Sequence, residues 1–504
     1  MASRSSSRVL MISAEVESLA RTGGLGDVVE ALSLALAESG LDVLVVTPRY
    51  GITRMPSTTT RWPQRVPARW GWGPNDVSLL GVVELDPIRF PSGGVRRVCL
   101  LDEPALFGRP GIYGDQHGAF DDNALRFAVM SRGGLEVAAR VWSGGPDVIH
   151  AHDWHAAFAV IYARLVMGER WARTPSVFTI HNLQFQGVLD ESWLDRLHLP
   201  REAYRAEALQ HEGRVNLMKG ATAYADRITT VSPTYGREIL GPSAGFGLDL
   251  HLRAHAVKLV GILNGIDLRL WDPRVDPMIP ARYDEHIARR QRAVDKAALA
   301  KELGLDASDG PLFGLVARLS WQKGIDLLLP ILPELVNRGA RFAVVGEGER
   351  NLEDELVYLA RTHSGRIAVR IAFDPPLSHR VYAGADFFVV PSRFEPCGLT
   401  QMYAMRYGAI PVVTDVGGLQ DTVEPIRDQG GSESGNGIVA AEVSSDAIHA
   451  ACLAAMRLYA DAPALTRAVV RAMRRGATFG WTRSALEYRR VYEAAAAAAA
   501  RASA

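Results

Sequence analysis

PSRFEPCGLTQ, residues 391–401, follows the apolar run FFVV at 387–390. A run of that length and composition reads as a parallel strand buried on both faces. Beyond it stand a carboxylate, Glu395, then Gly398, then a helix start at Thr400. Working outward, residues 313–318, 342–346, 367–373 and 411–415 read as strands of the same series as 387–392. An earlier series occupies 9–13, 43–47, 98–102, 148–152, 177–181 and 228–232, each strand followed by a helix-length segment. This alternation predicts an α/β chain of two doubly wound domains facing a deep cleft, with ligands beyond the carboxyl ends of the strands. The expected divisions are 1–260, 261–478 and a C-terminal helix, 479–504, crossing back to the first domain, with the linker near 257–267. A polar, proline-containing stretch runs on from Trp271 to Arg292, and the alanine-rich 494–500 reads as frayed helix.

The bulk numbers agree with such a chain. At 504 residues it is too long for one core. Hydrophobic residues make up 48% and charged ones 22%, as in an ordinary globular protein. Lys+Arg and Asp+Glu balance at 56 each, which points away from nucleic acid or a membrane surface as partner. Cys99, Cys397 and Cys452 are scattered and odd in number, which argues against a disulfide framework and for a reducing compartment. No apolar run approaches the roughly 18 residues of a spanning helix. The N-terminal apolar core is only residues 9–12 before Glu15 intervenes, so no signal peptide is expected and the cytoplasm is the expected location.

Three loops carry chemistry. RTGGLGD, residues 21–27, joins the first strand to an amphipathic helix. Glycines there admit close backbone approach, and the helix N-terminus favours anions, although a plain tight turn has the same composition. The lysine and Ser/Thr of a P-loop are absent, which disfavours an ATPase. ARLSWQKG, 317–324, brings Arg318 and Lys323 to one loop, where two cations can neutralise a pyrophosphate; the plain alternative is a solvated pair. In 391–401, Glu395 can accept hydrogen bonds from sugar hydroxyls, and the amides of Leu399 and Thr400 can hold a phosphate. Cys397 reads as a packed thiol. VGGL, 416–419, offers a second close backbone approach. His150, His152 and His155 at one strand end read either as a metal site or as a buried turn.

RTGGLGDV, HAHDWHA, TIHNLQFQG, SPTYGREI, NGID, RLSWQKGIDL and PSRFEPCGLTQMYAMRYG occur in that order. Together they resemble the bacterial glycogen synthase and plant starch synthase family over about residues 8–490. The resemblance implies two Rossmann-like domains of GT-B type. It implies transfer of glucose from ADP-glucose to the non-reducing end of an α-1,4-glucan, with retention and no cofactor or metal. It places Arg318 and Lys323 on the donor phosphates and Glu395 on the donor glucose. His181 falls beside the reacting carbon, where its backbone carbonyl would support an oxocarbenium-like state. Arg21, Gly23, Gly24, Asp27, Asn264, Cys397, Gly398, Leu399, Thr400, Gly417 and Gly418 fall at donor positions. Tyr113, Asp153 and His155 fall at acceptor positions, which favours a glucan over a metal at the histidines. Phe373 falls where an aromatic stacks on adenine, although from its surroundings in the chain it reads as core. Arg21, Val416 and Phe373 depart from the family's usual Lys, Thr and Tyr. Sucrose- and trehalose-type synthases carry a second Glu eight positions after the first; here that position is Tyr403. The longer pattern of the pyridoxal-phosphate-dependent phosphorylases is absent. Arg318, Lys323 and Glu395 together argue against a non-catalytic glucan-binding module, and the HDWHA segment against an epimerase.

Overall fold

Apolar runs that bury both faces need cover on two sides, and the chain meets that need twice. The computed structural model describes residues 7–429 and 432–503; the start of the chain, residues 1–6, and Ala504 lie outside it. Arg8–Ile12 (β1), Asp42–Pro48 (β2), Val77–Leu85 (β3), Val95–Asp102 (β4), Val148–His152 (β5), Ser176–Ile180 (β6), Arg227–Thr230 (β7) and Leu259–Gly261 (β8) share one sheet. Its order is β8-β7-β6-β5-β1-β2-β4-β3, parallel except where β3 runs antiparallel to β4. Helices Gly24–Glu38 (α1), Asn123–Val141 (α2) and Asp153–Leu165 (α3) belong to this unit. The chain leaves β1 for β2 on one side and later returns to β5 on the other. The carboxyl ends of β1 and β5 are therefore the point where strand order reverses, the place at which doubly wound sheets bind ligands.

The second unit repeats the plan. Leu312–Val316 (β9), Arg341–Gly346 (β10), Ile367–Ile371 (β11), Phe387–Val390 (β12), Ile410–Thr414 (β13) and Ile438–Ala440 (β14) form an all-parallel sheet in the order β11-β10-β9-β12-β13-β14. Its reversal lies between β9 and β12. The loops that follow those two strands carry Arg318, Lys323 and Glu395. Helices Thr400–Arg406 (α4) and Gly417–Thr422 (α5) follow β12 and β13.

By compactness one unit takes residues up to 231, 236–262 and from 481 onward, and the other takes 232–235 and 263–480. Part of the stretch expected as a linker is β8, the edge strand of the first sheet. The polar stretch after it is packed: the Trp271 ring stacks on Tyr403 at 3.9 Å and on His379 at 4.0 Å, and Asp276 and Tyr283 are buried. Trp481–Ser503 (α6) belongs to the first unit. Its Tyr488, Tyr492 and Ala495 join the core formed by Val9, Met11, Val43 and Val45 and by Leu32 and Leu36 of α1. The alanine run is therefore not frayed, as its composition suggested. Ala495 and Ala499 are buried one turn apart, where a methyl group lets the helix lie close to its neighbours. Cys99, Cys397 and Cys452 are free and buried. No helix among the described residues is long and apolar enough to cross a membrane.

Candidate active site

In the first unit the site is built around an acid that the sequence shows only as an interruption of the N-terminal apolar run. Glu15, just beyond β1, is 3% exposed. Its Oε2 accepts the amides of Thr22 (2.8 Å) and Gly23 (3.1 Å), and its Oε1 accepts the hydroxyls of Thr22 (3.1 Å) and Tyr113 (2.5 Å). Burial pushes the Glu15 carboxyl up, and these donors counter it. Glu15 thus ties the 21–26 loop to Tyr113. Arg21 Nη1 donates to Asp27 Oδ1 and lies 3.5 Å from Glu17 Oε1. Burial pushes the Asp27 carboxyl up to about 6, against the pull of the Arg21 guanidinium. Gly23 and Gly24 are exposed at the head of α1.

Tyr113 is held from below. Arg126 of α2, fully buried, donates to the carbonyls of Leu106 (2.7 Å) and Ile112 (2.8 Å), and Asn123 Nδ2 donates to the carbonyl of Tyr113 (2.8 Å). The Tyr113 ring stacks on His155 with centroids 4.6 Å apart and planes at 24°. At the carboxyl end of β5, Asp153 adopts φ +58°, the left-handed region that a residue with a Cβ seldom occupies. Its Oδ1 accepts the amides of His181 (2.8 Å) and Asn182 (3.4 Å). Strain at a strand end is a mark of a site where orientation matters, and here it fixes the peptide of His181. Burial raises the Asp153 carboxyl to about 7.

The histidines form a neutral cluster. His150 spends Nδ1 on Tyr492 (2.9 Å) and Nε2 on Thr179 (2.6 Å), and His152 Nδ1 meets His181 Nε2 at 3.0 Å. Burial drives His150, His155 and His181 down to about 3 and His152 well below its ordinary value. With both His150 nitrogens committed, the metal reading of His150, His152 and His155 fails. Among the described residues no three His, Cys, Asp or Glu side chains are grouped to hold a metal.

In the second unit Glu395, 4% exposed, accepts at Oε2 from Lys323 Nζ (2.6 Å) and Ser392 Oγ (2.9 Å). One of the two cations expected for a pyrophosphate is thus already paired with the carboxylate. Arg318 is exposed, with Nη2 donating to Gln322 Oε1 at 3.2 Å. Gly398 takes φ +70°. Leu399 caps α4 and Thr400 begins it, so their amides head a helix of seven residues. A Cβ on Gly418 would stand 2.0 Å from the Cys397 carbonyl oxygen, and the Gly418 amide donates to the Glu395 carbonyl at 2.9 Å. At Gly418 the close approach is thus to the 395–398 loop, which it braces. Burial pushes the Cys397 thiol up to about 12, as expected of a packed rather than reactive cysteine. Asn264 is 4% exposed, and its Oδ1 has no hydrogen-bond partner among the described residues. Phe373 is 59% exposed, so its core reading fails. It lies just past β11, where the sheet no longer covers it. Tyr403 stacks on Trp271 and supplies packing where a second Glu would supply charge.

Residues 8–254 match the family described as the starch synthase catalytic domain, and residues 310–457 match the glycosyl transferases group 1. A glycogen synthase of Myxococcus xanthus is 42% identical over 487 residues, covering 96% of this chain and 98% of that protein. One from Granulibacter bethesdensis is 43% identical, covering 82% and 84%. Among solved structures, the catalytic domain of starch synthase IV from Arabidopsis thaliana, bound to ADP and acarbose, is similar with a TM-score of 0.88 and 31% identity, covering 98% of this chain and all of that one. A sucrose-phosphate synthase from Thermosynechococcus elongatus, 20% identical with a TM-score of 0.59, shares the fold.

Proposed function

The chain belongs to the glycogen and starch synthase family of GT-B glucosyltransferases, and we propose that it transfers glucose from ADP-glucose to the non-reducing end of an α-1,4-glucan, with retention of configuration. The observation that carries this reading is the buried Glu395 carboxylate paired with partly exposed Lys323 at the strand-order reversal of the second unit. A carboxylate fixed on one oxygen by Lys323 and Ser392 keeps Oε1 to accept from sugar hydroxyls without reorganising as charge develops. Arg318 and Lys323 take the donor phosphates, with the amides of Leu399 and Thr400. The bare Oδ1 of Asn264 accepts from a donor group, and exposed Phe373 stacks on the adenine. Residues 261–478 are thus the nucleotide-sugar domain.

Residues 1–260 are the acceptor domain, completed by α6. Tyr113 and His155 give the glucan a stacking surface, and Asp153 aims the 181–182 peptides. A neutral His181 imidazole has no proton to give as an imidazolium at pH 7, which favours the role of its backbone carbonyl beside an oxocarbenium-like carbon. Arg21, Gly23, Gly24 and Asp27 act toward the donor. The enzyme works in the cytoplasm. Incubation with ADP-glucose and glycogen should release ADP and lengthen the glucan, and ¹H NMR of the first product should show the α-anomer. No ADP release with glycogen or maltodextrin would overturn the reading.

A further inference from the structure

Trp72 lies in a hairpin turn between Val66–Arg69 and β3 and is 55% exposed. A single exposed apolar side chain is ordinary; a turn built to display one is not. Trp70 N–H donates to the Asp76 carbonyl (2.9 Å), and Asp76 N–H to the Gly73 carbonyl (3.2 Å). Asp76 Oδ2 accepts the Gly73 amide (2.7 Å), and Arg69 Nη1 donates to the Gly73 carbonyl (2.8 Å). The indole is therefore held outward rather than free to fold down. His198, at φ +54°, sets its ring edgewise to the indole, with centroids 4.1 Å apart and planes at 82°. The nearby cations are engaged, Arg69 with Gly73 and Arg132 with Glu136, so the platform suits a neutral ligand rather than an anion.

Topology places this turn on the rim that carries the acceptor residues. In the antiparallel pairing Gly81 faces Asp102, the last residue of β4, so residues 77–80 overrun the carboxyl edge of the sheet and the turn overhangs it. Helix α2 links the two places: Phe127 packs its ring on His155 at 4.8 Å, while Arg132, five residues on, acts electrostatically on His198. We propose that Trp72, propped by His198, is a second platform for the α-glucan chain, holding units remote from the end that reacts beside Tyr113 and His181. The inference rests on the glucan reading above. It gives the first unit two attachment points on one polymer, and binding at one raises the effective concentration at the other.

The test compares Trp72→Ala and Trp72→Phe with wild type in native gels containing glycogen, and in steady-state kinetics with glycogen or maltotriose as acceptor. Stacking of this kind is worth about 0.5–1.5 kcal/mol, or roughly two- to twelvefold. Trp72→Ala should be less retarded by glycogen and show a KM for glycogen raised by that factor, with kcat unchanged. Trp72→Phe should recover most of the loss, and maltotriose, too short to span both places, should not distinguish the three proteins. Equal retardation and equal glycogen KM for wild type and Trp72→Ala would overturn the inference, as would an equal loss on maltotriose, which marks a structural defect. A wild type that releases no ADP from ADP-glucose would sink the transferase reading instead, and gel retardation would still decide for or against Trp72.

Discussion

Replacing Arg21 with alanine separates two roles that one side chain can hold. Arg21 is bonded to Asp27, whose carboxyl burial has lifted to about 6. An adjacent cation lowers a carboxyl by about one to three units. The Asp27 side chain is 23% exposed, so the lower figure applies and its loss should carry Asp27 to roughly 7. The ionised share then falls from about nine-tenths to about half at pH 7, and from about half to about one-tenth at pH 6. If Arg21 only keeps Asp27 ionised, and the carboxylate is the working form, kcat/KM for ADP-glucose should fall about twofold at pH 7 and about fivefold at pH 6. If Arg21 also touches the donor, a charge-assisted hydrogen bond of about 1.5–3 kcal/mol disappears, and about 10- to 150-fold is lost at every pH. Arg21→Lys keeps the charge and should recover much of either loss. The assay is kcat/KM for ADP-glucose at saturating glycogen from pH 5.5 to 8.5. An alanine variant that tracks wild type across that range refutes both roles and leaves the departure from the family's lysine without effect.

Glu395→Ala should lower kcat on the order of 100- to 1000-fold while far-ultraviolet circular dichroism is unchanged; near-normal turnover removes Glu395 from the reaction. If Arg318 and Lys323 supply the positive charge for the donor phosphates, as proposed, ADP release should persist in EDTA, and complete loss restored by Mg²⁺ contradicts that assignment. At Asp153 the folded carboxyl, raised to about 7, stabilises the fold at low pH and loses that contribution as pH rises through 7. Asp153→Asn, which tolerates the left-handed backbone and still accepts both amides, should match or exceed wild type in urea melts at pH 8, with the gap closing toward pH 5. Asp153→Ala forfeits acceptor and backbone preference together and should cost about 2–4 kcal/mol; an unchanged midpoint counts against the strained clamp.

The central parallel strands were legible because burial on both faces writes itself as β-branched runs, and the reversal points follow from their order; the three-residue parallel edge strands β8 and β14 were too short to show such a run. The antiparallel edge was not: Val77–Leu85 is buried only at Leu80, Val82 and Val83, and its partner Val66–Arg69 carries a proline. The loops bearing Arg318, Lys323 and Glu395 could be placed at strand ends, but the Lys323–Glu395 bond joins residues 72 apart and no local pattern reports it. Glu15 escaped notice because its partner Tyr113 is 98 residues away, although an acid directly after a buried strand was the available signal. His150 shows the limit most clearly. Its choice between metal and turn was settled by Tyr492, 342 residues downstream.

That last bond has a bearing on how the protein is made. The first unit needs α6 for its core, with Tyr488 and Tyr492 inside it and Arg489 donating to the Ser39 carbonyl at 2.7 Å. On the ribosome its sheet emerges first, yet these core side chains arrive only after residues 263–480 have been synthesised. At about 5–20 residues per second the N-terminal sheet and α1 wait tens of seconds with the part of their core that α6 fills left uncovered. The second unit is contiguous apart from four residues and can fold ahead of it. Order of synthesis and order of completion are thus inverted, and the interval in which nascent chains are exposed to aggregation or to chaperones is set by the length of the intervening unit.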